Sequence, residues 1–170
     1  MAKASGGTRK LKHGSREYRK RQDEIKAMQE NGKYSSVTMG THGGYLAIEK
    51  SKARHKIEEI KAGKILADNG YKVILKDEMG QVKTPDGYIF NASFEQRTPT
   101  KDGSNTIRNA LFHAKAKNAQ VAVIYSKGPA FTRDSVDNGL KLYEQATERR
   151  FERIIVVVDN GHIHIHKHNK

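Results

Sequence analysis

The spacing of apolar residues divides the chain into segments that alternate between a period near 3.6 and a period near 2, the signatures of helix and strand. Residues 15–31 read as a first helix. Ser15 stands where an N-cap would, Tyr18, Ile25 and Met28 fall near one stripe, and Asn31-Gly32 closes the run. Residues 35–39 and 45–48 read as two short strands around Gly40-Thr41-His42-Gly43-Gly44, and residues 50–56 as a charged linker. From there the pattern sharpens. Residues 56–69 form a helical pattern closed by Asn69-Gly70, residues 71–75 a strand, and residues 76–83 a polar loop. Residues 86–90 and 93–97 read as paired strands around Asn91-Ala92. After a loop at 98–103 comes a helix to about residue 118, with Ile107, Leu111 and Ala114 along one side. Residues 121–125 form a short buried strand, and a helix over about 134–149 carries Val136, Leu140 and Tyr143 at helical spacing. The apolar run 154–158 is an interior strand, and Asp159-Asn160-Gly161 turns the chain into an alternating edge strand at 162–168. This order predicts an α/β (α+β) fold, a mixed sheet with helices against it. A basic N-terminal arm, helix and hairpin (residues 1–55) precede an α/β core (residues 56–170).

Charge changes that picture into a functional one. The net charge of +13 is unevenly placed, with 14 Lys and Arg against 5 Asp and Glu in residues 1–56, but 18 against 14 in residues 57–170. A basic excess at one end attracts polyanions and speeds encounter with them. Arg9, Lys10, Lys12, Arg16, Arg19, Lys20 and Arg21 are the candidate phosphate contacts. The competing readings are a solvated basic face and affinity for anionic lipid. The chain has no cysteine, which excludes disulfides and thiolate metal sites. No apolar run approaches the roughly 20 residues of a membrane span, and the N-terminus is charged without the apolar stretch of a secretory signal. The expected location is the cytoplasm of the producing cell. The glycine run at 40–44 lacks the lysine and following helix of a nucleotide-binding loop.

The chemistry gathers in the run PDGYIFNASFEQR. A hairpin with an even-length loop would put Asp86, Glu95 and Arg97 on one face, with same-face neighbours about 5–8 Å apart. Two carboxylates that close repel unless a cation or proton lies between them, and oxygen ligands of this kind suit Mg²⁺ or Mn²⁺. A plain Pro-Asp-Gly turn with an exposed Glu95–Arg97 pair is the alternative. Glu59 shares a small, apolar stripe with Ala62, Gly63 and Leu66, so its carboxylate would be partly buried and costly without a partner. It either joins the site or pairs with a lysine at the rim.

Glu59, the run ILADNGYKVIL, Pro85-Asp86, Glu95, a helix and an AVIY strand together resemble the PD-(D/E)XK nuclease core, which has a restriction-endonuclease-like fold. More closely, residues 56–168 are similar to the C-terminal tRNA-nuclease domain of the contact-dependent growth inhibition protein CdiA, a type also found in phage and mobile-element proteins. The resemblance implies a helix glutamate, a strand aspartate, a second strand carboxylate and a lysine, the first three falling on Glu59, Asp86 and Glu95. Arg97 stands where the broad motif has lysine, with Lys115 or Lys117 on the following helix as replacements. The implied activity is metal-assisted cleavage of RNA, tRNA above all, with Mg²⁺ or Mn²⁺ and with Zn²⁺ as a further candidate. An inhibitory immunity protein and delivery into a target cell's cytoplasm belong to the same implication. The rivals are a DNA endonuclease on the same core and a nucleic-acid-binding or packaging protein that does not cut.

His162, His164, His166 and His168 alternate onto one face of the last strand. That face reads either as a Zn²⁺ or Ni²⁺ contact surface or as an exposed edge with Ile163 and Ile165 turned inward. Spacing gives His13, His42, His55 and His113 no partner.

Overall fold

The computed structural model describes residues 10–51, 55–77, 85–127 and 131–168. Its helices are α1 (Arg16–Glu30), α2 (Ile57–Asp68), α3 (Ser104–Ala116) and α4 (Arg133–Ala146). Its strands are β1 (Tyr34–Met39), β2 (Tyr45–Glu49), β3 (Lys72–Leu75), β4 (Gly87–Ile89), β5 (Ala92–Arg97), β6 (Val121–Ser126), β7 (Arg153–Val158) and β8 (Ile163–His166). The fold is mixed α+β, as the hydrophobic pattern predicts. The chain divides into two compact units, one of residues 1–82 with 86–91 and one of residues 83–85 with 92–170.

In the first unit β1 and β2 are antiparallel, β2 and β3 parallel, and β3 and β4 antiparallel. Adjacent strand residues face opposite ways, and the sheet uses both faces. Tyr45 and Ala47 pack with Ile25 of α1, and Leu46 abuts Gly63 of α2. Ser15 caps α1, its hydroxyl accepting the Tyr18 N–H at 3.1 Å, which offsets the cost of cations near the positive end of the helix. Asn69-Gly70 ends α2 as predicted. The Gly70 and Tyr71 N–H groups bond back to Ala67 and Leu66, and Gly70 takes a φ of +94° that a side chain would resist. The basic arm is anchored in its described part. Leu11 is buried, and its N–H donates to the His42 carbonyl at 2.8 Å. Residues 1–9, 52–54 and 78–84, which include Arg9 and parts of the predicted arm, linker and loop, lie outside the described residues.

In the second unit β5, β6 and β7 run parallel, joined through α3 and α4, and β8 returns antiparallel to β7. The two helices pack on the face carrying Ala122, Ile124, Ile154 and Val156, with Tyr143 fully buried among Phe112 and Phe151. α3 and α4 approach closely because Gly139 has no side chain. A Cβ there would come within 2.6 Å of the Ser104 carbonyl oxygen and 2.5 Å of Ile107.

Several boundaries differ from the pattern. The turn after β4 falls on Phe90 and Asn91, with φ of +46° and +70°, and Ala92 opens β5 instead of sitting in the turn. Two positive φ values favour asparagine over alanine. α4 stops at Ala146 because Thr147 is extended, and Arg149 is drawn off to the Ala119 carbonyl at 2.7 Å.

The histidine strand is shorter than predicted and is not a uniform exposed face. His164 and His166 pair with Val156 and Ile154 and so face the helices, while Ile165 is 41% exposed, where it was expected to turn inward. His168 lies beyond β8 and packs against Phe151 and Tyr143. Its Nε2 accepts the Phe151 N–H at 2.9 Å, so Nδ1 carries the proton and donates to Glu144 at 2.7 Å. With both nitrogens used, His168 is a fastener for the chain end.

Two predictions follow from this packing. Gly139→Ala is expected to lower stability by about 2–3 kcal/mol through overpacking, read as a fall in urea midpoint at unchanged m-value. His166 titrates below the ordinary histidine value of 6.5, because burial, then His164 and Arg133, disfavour its charged form more than Asp137 favours it. A histidine with a lowered folded pKa contributes fully above about pH 6.5, and that contribution is lost as pH falls through the folded value. NMR titration should show the low midpoint, and His166→Asn should flatten this part of the stability profile.

Candidate functional site

The described residues contain three buried carboxylates, and they are Glu59, Asp86 and Glu95, at 8%, 5% and 4% exposure. Removing a carboxylate from water costs several kcal/mol unless a donor, cation or proton compensates it, so what surrounds each one matters.

In the first unit, Glu59 occupies the third position of α2. It reaches back so that its Oε2 accepts the Lys56 N–H at 3.2 Å and lies 3.5 Å from His55 Nδ1. This is the carboxylate half of a capping box. The partner seen beside Glu59 is a histidine, where one of the two readings from sequence had a lysine. His55 Nε2 is buried and has no hydrogen-bond partner among the described residues. A carboxylate on one ring nitrogen with the other left open is the arrangement seen in metal-binding histidines. Asp86 precedes β4, and its carbonyl accepts the Lys76 N–H at 2.9 Å, which fastens that residue to the end of β3.

In the second unit, Glu95 and Arg97 stand opposite Ala122 and Ile124 on β6, which places both on the face covered by the helices. Glu95 is buried and its Oε2 is 3.0 Å from Nε2 of His113 on α3. Arg97 is exposed at the strand end. Lys115 lies about 200° around the helix from His113, and its ammonium stands 5.7 Å over the Phe112 ring. Lys117, the C-cap of α3, falls one turn on from His113 and near the same stripe. Beyond Glu95, Arg97 lines a cavity of about 260 Å³ with Thr98, Thr100, Lys101, Thr106 and Asn109.

The basic residues separate into two kinds. Lys10, Lys12, Arg16, Arg19 and Lys20 are exposed, Arg19 donating to the Gly14 carbonyl at 3.1 Å. Arg21 is mostly withdrawn, tied to the Gly43 carbonyl at 2.5 Å and to Glu24 at 3.2 Å. Glu24 in turn helps burial to raise the pKa of Tyr45.

Sequence spacing finds the three carboxylates and misses both histidines beside them. His55 stands four residues before Glu59, a helical pairing distance, but it precedes the helix. His113 flanks the stripe of Ile107, Ala110 and Ala114, and only the placement of α3 on β5 brings it to Glu95.

Among the described residues no three His, Cys, Asp or Glu side chains form a group that could hold a metal ion. Taken singly, a buried carboxylate such as Glu59 and the open His55 Nε2 are donors of a type that divalent cations accept.

No helix among the described residues is long and apolar enough to cross a membrane. Comparison with curated proteins gives no match. The model of the contact-dependent growth inhibition CdiA C-terminal domain matches residues 83–163, a stretch that holds Asp86, Glu95, Arg97, His113, Lys115 and Lys117. Among solved structures, the chain is similar to the CdiA-CT/CdiI toxin and immunity complex from Burkholderia pseudomallei, with a TM-score of 0.53 and 17% identity over 71% of this chain and 98% of that one. At that identity the likeness is one of fold, and it extends beyond the segment that the family model matches.

Proposed function

We infer that this chain is the toxic domain of a contact-dependent growth inhibition system and acts as a metal-dependent nuclease on RNA, with tRNA as the favoured substrate. The observation that carries the reading is the burial of Glu59, Asp86 and Glu95, the acids that the nuclease resemblance selects, to the exclusion of every other carboxylate among the described residues. The match of residues 83–163 to the CdiA C-terminal domain supports it independently.

In this reading Glu59, Asp86 and Glu95 are each a candidate oxygen ligand for a divalent cation. A bound divalent cation lowers the pKa of a water and offsets charge on the phosphate. Arg97, charged at every working pH, binds non-bridging oxygens and withdraws no proton. Lys117 or Lys115 supplies the second cation that the motif lysine gives elsewhere. His113 fixes the rotamer of Glu95 and so acts as a positioning residue. The exposed Lys10, Lys12, Arg16, Arg19 and Lys20 grip the flanking backbone. The solved neighbour is a toxin with its immunity protein, and a cognate inhibitor that blocks this chain follows by analogy, as does delivery into a target cell's cytoplasm.

Two observations favour a second reading. Arg97 replaces the motif lysine and Glu95 already has a protein partner, as suits a domain that binds nucleic acid without cutting it. A cleavage assay separates the two. Bulk tRNA and plasmid DNA are incubated with Mg²⁺, Mn²⁺, Zn²⁺ or excess chelator. Cutting of tRNA that needs a metal and vanishes in Asp86→Ala and Glu95→Ala, while salt-sensitive binding persists, is the expected result. Binding without cutting under any metal would sink the enzyme reading, and preferential cutting of plasmid would replace RNA with DNA. His113→Ala is expected to reduce turnover by about 10- to 100-fold with substrate affinity little changed, measured as a fall in kcat at constant KM.

A further inference from the structure

The cavity beyond Glu95 is rich in donors. Arg97 and Lys101 bring two cations, and Thr98, Thr100 and Thr106 bring hydroxyls. Thr98 Oγ1 accepts the Gln96 amide at 3.2 Å, which leaves its own proton to give. Asn109 Oδ1 accepts from Arg108 at 3.3 Å, which leaves the amide NH₂ to donate. Among the described residues no carboxylate lines the cavity. The N-terminus of α3 emerges from the same loop. Its N-cap is Gly103, with no side-chain cap bond, and its first turn contains no acid, Asp102 standing just before the cap. Each of these features selects an anion with several acceptor oxygens.

Position narrows the choice. Arg97 lies two residues past Glu95 on the same strand face, about 6.6 Å along β5. Asn109 lies one turn before His113 on α3, about 6 Å along the helix axis. Strand and helix therefore step by the same amount from the Glu95–His113 pair to the cavity, and that step matches the scale of neighbouring phosphates in an extended nucleic-acid strand. The cavity also lies at the carboxyl end of a parallel strand, where α/β sheets place their ligands.

We propose that this cavity is a phosphate subsite, which holds the backbone phosphate next to the one attacked beside Glu95. The nucleic-acid source of that phosphate rests on the nuclease reading, whereas the anion chemistry does not. Held there, the neighbouring phosphate fixes the register of the strand, and the enzyme gains a requirement for a phosphate flanking the bond it cuts.

Two arms test it. In the first, the isotopically labelled full chain is titrated in excess chelator with inorganic phosphate, against chloride at equal ionic strength. Saturable shifts confined to the amides of residues 97–107 are expected, and they should disappear in Lys101→Ala/Thr106→Val while the other resonances keep their positions. Shifts spread over all surface cations, or persisting in that variant, overturn the subsite. In the second arm, RNA dinucleotides with and without a terminal phosphate beyond the cleavable bond are compared as substrates. The extra phosphate is expected to raise kcat/KM about tenfold, and Lys101→Ala should remove that gain while leaving cleavage of the shorter substrate unchanged. Equal cleavage of the two substrates overturns the backbone assignment. If no RNA is cut with any metal while the localised phosphate shifts persist, the nuclease reading fails and the subsite stands as a site for a free phosphate or phosphorylated small molecule.

Discussion

The pair formed by Glu95 and His113 joins the innermost carboxylate of β5 to α3 at 3.0 Å, on a sheet face otherwise given to Ala122, Ile124, Ile154 and Val156. A charge on such a surface is tolerable only with a partner close by, so the placement of α3 on β5 is set by polar as well as apolar contact. Gly139 serves the same placement from the other side, by letting α4 close onto Ser104 and Ile107. Arg97, the cavity that it lines and the N-terminus of α3 take their positions from this one junction. A loss of packing at Gly139 should therefore be felt first in the geometry around Glu95.

The elements of the fold were legible in the sequence because each carries its own period and its own punctuation. Ser15 and Asn69-Gly70 announce helix ends through bonds that reach only a few residues, and the structure makes those bonds. The carboxylates were legible for a similar reason. Glu59 lies on a stripe with Ala62, Gly63 and Leu66, and a polar residue on a small apolar stripe must be buried. What stayed hidden depends on contacts between distant segments. Nothing near His113 points to Glu95 across 18 residues, and nothing near Leu11 says that it will close over Gly43. The edge histidines misled because alternation describes only a strand that continues. Once the chain leaves β8, His168 turns in to Phe151 and Glu144.

The basic N-terminal third shows how composition and structure divide the work. Net charge counts Arg21 with its neighbours, but the structure commits it to the Gly43 carbonyl and Glu24, where it braces the glycine loop. Arg16 and Lys20, on the same helix, remain exposed. The electrostatic footprint is thus smaller than the charge count suggests, and the exposed members lie along one helix and the segment before it. Long-range attraction depends on the sum of charges, whereas register depends on which of them are free to touch a phosphate.

Arginine at position 97 has a consequence for how a site of this kind divides its labour. A lysine two residues past the acid can both hold a phosphate and trade its proton, since its pKa shifts readily, whereas a guanidinium can only hold. If the chain is the nuclease proposed above, Arg97 only binds and any proton transfer falls to another group or to water. The structure offers a compensating economy. Arg97 stands on the same strand face as Glu95 and lines a cavity rich in donors, so on the proposed nuclease reading its charge would serve the flanking phosphate as well as the one attacked. On that reading, arginine in place of lysine would give up a titratable group at the reacting centre in return for a firmer grip one nucleotide away. That grip matters more for a substrate recognised by its backbone path than for one recognised by its bases.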